Sequence, residues 1–590
     1  MKITDLPFQQ VVDPINGSLV FSAICAALPL LLLFVLLGAF RVKAHKAALA
    51  SLLLSIVLAV IGWRMPLGQT LSAAGAGAVY GVLPILWILI NALWIFKLTV
   101  ATPWFEVLGR TIRSISNDMR ILAILIAFCF GALLEALAGF GAPVAITAAM
   151  LLAAGMKPLK SAMIALLANT APVAFGSVAA PIIALGGVTG LPIHDLASMI
   201  GRQTPFMALL VPLLLVFIVD GKRGFKQTWP VALVAGVVFG VAQFLASNFL
   251  AVELVDVIAA LATIAGVLIM LRFWKPAETV GISGEAKSAP SEDGKVLVPV
   301  GAPDGGLAVQ SAAGSPTASS SFGMESASVD EKRLDTARPA PRQIWTAIAP
   351  YLIIIAIFTI AQIPAVKAWL TAVGSVTFQW PGLDVIDPAG KPVAAQMFKL
   401  DHLKAAGTSV LVSGLVLMAL YKITPRRGLR IYWETLVQLR WTIVTVTAVL
   451  ALSFVMNLSG QASTMGIALA SAGGFFALLS PLLGWIGVAL TGSDTSSNSL
   501  FGQLQVSAAN SAGLSPVLMA AANSSAGVLG KMLSLQNLAV AAAAVGLVGA
   551  ESTLFRKLLG WSLGLLVALT LLIFLQSTPV LGWMVPQLQE

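Results

Sequence analysis

The fold is decided by the stretch Gly492-Ser493-Asp494-Thr495-Ser496-Ser497-Asn498, which places small and polar residues inside an otherwise apolar run. The upstream segment 475–490 reads FFALLSPLLGWIGVAL, and a mostly apolar stretch of small residues follows. Lipid cannot hydrogen-bond these side chains, so they must be buried in protein or face a water-filled cavity. We expect a helix to end at Gly492 and to restart near Ser497. Such broken helices form the substrate sites of secondary transporters. The alternative is a tight polar turn at the membrane surface.

The composition agrees with a membrane-embedded chain. Of the 590 residues, 58% are hydrophobic and 10% are charged, whereas soluble proteins carry about 25% charged residues. Cys25 and Cys129 lie in apolar runs and the three histidines are scattered, so the sequence predicts neither a disulfide framework nor a metal site. We interpret the net charge of +10 as Lys and Arg retained on the cytoplasmic side, not as a nucleic-acid surface. The N-terminus shows no cleavable signal peptide.

The apolar runs predict an all-α polytopic membrane protein with about 12–14 transmembrane helices. Several runs are too short to cross the hydrocarbon layer, which requires about 20 residues. We interpret three of these runs, at 143–155, 482–491 and 514–526, as half-helices or arms of re-entrant hairpins. A hydrophilic loop near 372–400 is expected to be a partly ordered surface excursion.

A long hydrophilic segment divides the chain into two membrane halves. Residues 275–342 are rich in Ser, Ala, Gly and Pro and carry mixed charges. Because such a segment has little apolar surface to bury, it is expected to be a disordered linker. The first membrane half is then 1–274 and the second is 343–590.

The two halves contain matching break points, which predicts an internal repeat. The sequence distance between matching positions in the two halves increases from 320 residues (120 to 440) to 329 residues (201 to 530). The matching pairs are Arg120 with Arg440, 138–143 with 459–464, 157–159 with 480–482, 169–172 with 494–497, and 201–202 with 530–531. The positions of basic residues place Arg120 and Arg440 on the same side of the membrane, which would make the repeats parallel. One miscounted transmembrane crossing would reverse that orientation, and we favour inverted repeats. The transport unit is expected to comprise 120–205 and 440–550.

Glu135 is the first candidate for proton coupling. It lies between apolar residues in FGALLEALAGFGAP, just before a glycine-rich break. A carboxyl group at membrane depth can bind and release a proton near neutral pH. The structural alternative is a carboxylate that caps a neighbouring half-helix or pairs with an arginine.

A second group of candidates lies at the two corresponding breaks. Asn169 and Thr170 occupy the first break, and the second break contains Ser493, Asp494, Thr495, Ser496, Ser497 and Asn498. Half-helix N-termini there would offer N–H groups to a small carboxylate. Asp494 would repel an anion unless it were protonated or paired, so we consider it a second candidate for proton coupling. The alternative is that it caps a half-helix.

Two basic residues are candidates for binding an anion. Lys531 lies in the apolar stretch SSAGVLGKMLSLQNLAV, where a cation must either bind an anionic substrate or pair with a carboxylate such as Glu135 or Asp494. Arg202, its counterpart in the repeat, could bind a carboxylate through two hydrogen bonds or merely lie at the membrane interface.

Enzymatic functions find little support in the sequence. The Gly-x-Gly-Asp pattern of intramembrane aspartyl proteases is missing, as are a rhomboid-type serine site and the Walker A sequence of ATPases. The chain is therefore predicted not to be an enzyme.

Four long motifs resemble the bacterial L-lactate permease family, and the similarity runs nearly from end to end. They are GALLEALAGFGAPVAITAAMLLAAGMKPLKSAMIALLANTAPVAFGS (131–177), IGRQTPF (200–206), ALTGSDTSSNSLF (489–501) and GVLGKMLSLQNLAVAAAAVGLVGAES (527–552). The linker 275–342 alone is peculiar to this chain. The break LSGQAST at 458–464 departs from relatives that carry a second Ser, and Gln461 there is expected to retune the substrate pocket.

The resemblance implies a multi-pass transporter of the bacterial inner membrane without a cofactor. It would move short 2-hydroxymonocarboxylates (L-lactate, D-lactate and glycolate) together with protons. The substrate carboxylate would lie against Lys531 or Arg202 and the two breaks, and Glu135 or Asp494 would carry the proton. A sodium-coupled carboxylate carrier and a small-anion channel remain alternatives.

Overall fold

The computed structural model describes residues 7–139, 141–280 and 339–587. The chain is almost entirely helical within these ranges, in agreement with the predicted all-α class. Most of the predicted linker, 281–338, lies outside the described residues, and the boundaries of the two halves remain predictions.

Thirteen α-helices form the first half. They are α1 (Leu19–Gly38), α2 (Ala44–Ile61), α3 (Leu67–Tyr80), α4 (Trp87–Val100), α5 (Trp104–Arg113), α6 (Met119–Ala123), α7 (Gly131–Ala138), α8 (Ala142–Ala153), α9 (Pro158–Ala168), α10 (Gly176–Thr189), α11 (Ile193–Ile200), α12 (Thr204–Phe249) and α13 (Val255–Phe273). Two π-helical segments, Gly81–Leu86 and Ile124–Phe130, join α3 to α4 and α6 to α7. Two short 3-10 turns, Val173–Phe175 and Val252–Leu254, precede α10 and α13.

Ten α-helices form the described part of the second half. They are α14 (Pro341–Gln362), α15 (Pro364–Gly374), α16 (Ala406–Leu420), α17 (Pro425–Ser459), α18 (Gln461–Leu469), α19 (Phe476–Thr491), α20 (Asp494–Ala512), α21 (Pro516–Lys531), α22 (Leu535–Ala544) and α23 (Glu551–Gln576). Three further 3-10 turns are Ala394–Gln396, Ala470–Phe475 and Gly582–Met584.

The loop between α15 and α16 is an ordered excursion, as expected for 372–400. Four short strands occur in the described chain: β1 (Phe8–Gln9), β2 (Ser375–Gln379), β3 (Val385–Ile386) and β4 (Met397–Asp401). β2 and β4 pair antiparallel, with Phe378 opposite Phe398, and β1 pairs parallel with β3. The N-terminal segment is thereby tied to the loop of the second half.

Burial separates lipid-facing helices from central ones. The most apolar windows of α1 and α2 are each 28% buried, whereas the span Met119–Ala138, which contains α6 and α7, is completely buried. Apolar residues on the outer surface of a membrane protein face lipid tails. These tails are as apolar as the side chains themselves. The buried span therefore lies at the centre of the molecule, and it carries Glu135.

The number of spans is close to the lower end of the prediction. The described residues contain 11 helical segments long and apolar enough to cross a membrane, or 12 if the bent pair Pro158–Ala168 and Val173–Thr189 counts as one span. α12 is 46 residues long and breaks at Gly221, and at 1.5 Å per residue it is too long for one crossing. The predicted short runs at 482–491 and 514–526 are parts of longer helices, since α19 and α21 each have 16 residues.

The two halves share one order of elements around their breaks. α7 is separated from the short α8 by Gly139 and Gly141, and α17 is separated from the short α18 by Gly460; all three glycines have positive φ. A second break then follows α9 and α19, before α10 and α20. This order is compatible with the predicted repeat, but the repeat itself and its orientation, inverted or parallel, both stay predictions.

α19 and α21 cross in close contact at Gly484. A Cβ atom added to Gly484 would lie 2.0 Å from the carbonyl oxygen of Asn523, which no side chain can accommodate without moving a helix. We therefore expect Gly484→Val to destabilise the protein by about 1–3 kcal/mol through overpacking. Gly564→Val is the matched control, because a Cβ atom at Gly564 meets nothing within 4 Å. Equal thermal unfolding midpoints for the two variants in detergent would contradict this packing.

Candidate functional site

Glu135 lies in the last turn of α7 and is 2% exposed. Its Oε1 is 2.7 Å from Lys531 Nζ, and its Oε2 accepts a hydrogen bond of 2.9 Å from Asn169 Nδ2. These three residues come from α7, the end of α9 and the end of α21. The carboxylate is thus fully engaged, and its partners connect the two halves of the chain.

Lys531 ends α21 and is 6% exposed. A cation is favoured at a helix C-terminus, where the free carbonyl groups carry partial negative charge. The sequence left open whether Lys531 binds substrate or pairs with a carboxylate, and the structure has it paired with Glu135. An ammonium group has three N–H donors, and one of them is used within the described residues, so the group can accept a further anionic partner.

The first break follows α9 at 169–175. Thr170 Oγ1 donates to the carbonyl of Leu167, so its hydroxyl closes the helix end. Beyond the break, residues 177–179 adopt left-handed backbone conformations, with φ of 47° to 59°. A left-handed backbone conformation costs about 1–2 kcal/mol of free energy for each residue other than glycine. Such strained residues cluster at functional sites. The strained turn lies directly beyond the residues that contact Glu135.

The second break is shorter than predicted. α19 ends before Gly492, which has a φ of 75° that a side chain would disfavour. Ser493 is the N-cap of the next helix, and its Oγ accepts from the backbone N–H of Ser496. α20 therefore begins at Asp494, not near Ser497, because a serine N-cap satisfies the first free N–H groups and starts the helix early.

Asp494 is the first residue of α20 and is buried. Its Oδ2 accepts hydrogen bonds from Ser524 Oγ (2.6 Å) and Asn498 Nδ2 (3.3 Å), while Oδ1 has no hydrogen-bond partner among the described residues. Its position suits a negative charge, since the helix N-terminus carries partial positive charge. Lys531 acts on it electrostatically without a direct ion pair.

Asn498 joins α20 to both neighbouring helices. Its Nδ2 donates to the carbonyl of Pro181 in α10, and its Oδ1 accepts from Asn523 Nδ2 of α21 at 2.9 Å. Ser497 Oγ donates to the carbonyl of Gly484 in α19. The second break is thereby packed against α10, the helix that follows the first break.

Thr495 and Ser496 differ from the other residues of this stretch. Each is 6% exposed, and neither hydroxyl donates a hydrogen bond within the part of the chain that the structure describes. These two hydroxyls are free to bond a ligand hydroxyl or carboxylate.

Two predicted site residues lie elsewhere. Arg202 donates from Nε to Asn248 Oδ1 and from Nη1 to the carbonyl of Met584, so its contacts are with the end of α12 and the C-terminal segment. Gln461 is buried against α2, where its amide bonds both the hydroxyl and the carbonyl of Ser55. Neither contacts Glu135 or Asp494 in the structure, and their substrate roles stay predictions.

Sequence reasoning missed three residues of this region. Asn523 and Ser524 of α21 contact the second break, and Asp256 of α13 lies within electrostatic range of Glu135 and Lys531. A signal was present for each, since Asn523-Ser524-Ser525 and Asp256 interrupt apolar runs in the same way as Glu135 does. Among the described residues, no three His, Cys, Asp or Glu side chains come together as metal ligands would.

Comparisons with known proteins agree along the whole chain. The sequence model described as L-lactate permease matches residues 22–302 and 314–580. An L-lactate permease of Bacillus subtilis is 40% identical over 98% of this chain and 100% of its own length. A glycolate permease, GlcA, of Escherichia coli is 39% identical over 96% of this chain and 98% of its own length. Among solved structures, Neisseria gonorrhoeae MtrF shares 12% identity at a TM-score of 0.47, covering 90% of this chain and 95% of that one.

Proposed function

Because this chain belongs to the L-lactate permease family, we propose that it carries L-lactate, D-lactate and glycolate across the bacterial inner membrane by proton symport with alternating access. Membership in a family of permeases makes the chain a multi-pass transporter and not an enzyme. The names of its relatives, L-lactate permease and glycolate permease, support 2-hydroxymonocarboxylates as the substrate class.

The observation that carries the proposal is the buried pair of Glu135 and Lys531. The pair is neutral, so an added lactate anion would leave one uncompensated negative charge at membrane depth, which is strongly unfavourable. If a proton binds Glu135 at the same time, its ion pair with Lys531 is lost and the ammonium group becomes available to the lactate carboxylate. The loaded site is then neutral again. Binding of the proton thus favours binding of lactate, and binding of lactate favours binding of the proton by the same free energy.

The remaining polar groups complete the proposed site. Asn169 bonds Glu135 through its amide and can equally bond the protonated carboxyl group, since an amide both donates and accepts. The free hydroxyls of Thr495 and Ser496 suit the 2-hydroxyl group of the substrate. Movement of the unit formed by 120–205 and 440–550 would then expose this site to one side of the membrane at a time.

Uptake of labelled lactate into proteoliposomes tests this proposal. A pH gradient, acidic outside, should drive accumulation above equilibrium, and sodium should have no effect. Accumulation that requires a sodium gradient would favour a sodium-coupled carboxylate carrier instead. Equilibration without accumulation would favour a channel for small anions.

Arg202→Gln is expected to leave the KM for lactate within about twofold of the wild type, because Arg202 contacts Asn248 and the Met584 carbonyl and not the proposed site. The loss of a charge-assisted hydrogen bond should instead lower stability by about 1.5–3 kcal/mol. Thermal unfolding and uptake kinetics on one preparation check both statements. A KM raised tenfold with an unchanged unfolding midpoint would restore Arg202 to the substrate site.

A further inference from the structure

Asp256 is a buried carboxyl group that the mechanism above does not use. It lies in the first turn of α13, is 1% exposed, and neither carboxyl oxygen has a hydrogen-bond partner among the described residues. The amide of Gln243 lies beside it. Gln243 Oε1 accepts a hydrogen bond from Thr204, and Nε2 donates one to the carbonyl of Ala171, which leaves its second N–H on the side of Asp256. An ionised carboxylate with so few hydrogen-bond donors around it is strongly unfavourable in an apolar interior, so burial favours the protonated form of this group.

Asp256 lies near the ion pair formed by Glu135 and Lys531. α13 packs against α7, which carries Glu135, and both Glu135 and Lys531 act electrostatically on Asp256. Gln243 reaches from the side of Asp256 to the first break, through the carbonyl of Ala171. Polar groups therefore connect Asp256 to the first break, where Asn169 bonds Glu135.

On the other side, Asp256 lies three residues after Glu253. Glu253, in the 3-10 turn before α13, is partly exposed, and Lys367 acts on it electrostatically. The other elements packed against α13 add few titratable groups. The π-helical segment contributes Cys129, α10 has no charged residue, and the charged residues of α12 lie at 220–226, more than four turns before Gln243.

We propose that Asp256 relays protons between Glu135 and the aqueous surface at the turn joining α12 to α13. In the forward step the Asp256 carboxyl group gives its proton to the Glu135 carboxylate through hydrogen-bonded water, because the two carboxyl groups do not bond each other directly. Asp256 is left as a carboxylate near the freed Lys531 and is reprotonated from the surface, past Glu253. This inference rests on the proton symport proposed above.

Asp256→Asn tests the relay. Lactate exchange across the membrane at equal pH should stay within about twofold of wild type, because the carrier can exchange lactate without releasing its proton. Net uptake driven by a pH gradient should fall about a hundredfold, the scale of a lost proton-transfer group. Asp256→Glu should restore net uptake. The matched control is Thr263→Val, which removes a buried hydroxyl two turns further along α13 and should change neither rate.

The outcomes separate the relay from the proposed function. Lack of gradient-driven accumulation in the wild type would overturn proton symport itself. Accumulation by wild type and Asp256→Asn at equal rates would overturn the relay alone. If the Asp256→Asn variant does not insert into the membrane, infrared spectroscopy of the Asp256→Glu variant tests the relay instead. The band of a protonated carboxyl group should shift relative to wild type, and an unshifted band would overturn the relay.

Discussion

Lys531→Met is expected to reduce lactate binding and uptake about a hundredfold or more. The proposed loaded site has one buried cation to offer a carboxylate, and loss of a buried, hydrogen-bonded charge partner costs about 2–5 kcal/mol, where about 2.7 kcal/mol corresponds to a hundredfold. Equilibrium binding of labelled lactate to the purified protein measures the effect. Lys557→Met, at an exposed position of α23, is the control and should bind lactate as the wild type does.

A second variant separates loss of function from loss of structure. Lys531→Met leaves Glu135 without its ion-pair partner in a buried site, which can destabilise the fold by about 3–5 kcal/mol. The double variant Glu135→Gln/Lys531→Met removes both charges and should recover stability, but it should not recover lactate binding. Recovery of both in the double variant would mean that Lys531 is structural and contacts no substrate.

Glu135→Gln is expected to abolish accumulation of lactate against its gradient while leaving lactate exchange active. Gln at this position leaves Lys531 free to bind the substrate carboxylate but cannot bind or release a proton. In the wild type, lactate affinity should rise as pH falls, because protonation of Glu135 frees Lys531; in the variant it should not depend on pH over the same range. Proteoliposome uptake with and without a pH gradient, paired with exchange at equal pH, measures both.

Intact accumulation by Glu135→Gln would move the coupling role to Asp494. That residue accepts hydrogen bonds from Ser524 and Asn498 and retains one oxygen without a partner among the described residues. Asp494→Asn would then lose accumulation while Glu135→Gln kept it. We expect the opposite order of effects for the two variants.

Much of the architecture could be predicted from residue patterns. Apolar runs predict the helices, and glycine with polar residues predicts the breaks near 139–141, 169–172, 460 and 492, because lipid tolerates no free backbone polar groups. Boundaries were harder to predict. The start of α20 at Asp494 depends on the N-cap formed by Ser493, and the start of α21 at Pro516 depends on the N-cap formed by Ser515, neither of which hydrophobic periodicity reports.

The sequence identifies candidate residues for the site but not the contacts between them. Glu135, Asn169 and Lys531 were each identifiable as polar residues in apolar surroundings, but their meeting requires α7, α9 and α21 to converge. Arg202 and Gln461 satisfied the same sequence criteria, yet they bond Asn248 and Ser55 instead. Tertiary packing alone distinguishes a polar residue of the site from one that ties two helices together.

Proton uptake on lactate binding tests the central claim most directly. Purified protein in weakly buffered solution, with a pH indicator, should take up about one proton for each lactate bound, and by linkage low pH should tighten lactate binding by the same coupling free energy. Glu135→Gln should bind lactate and take up no proton. Lactate binding by the wild type without proton uptake, or equal uptake by the wild type and Glu135→Gln, would contradict the coupling of Glu135, Lys531 and substrate.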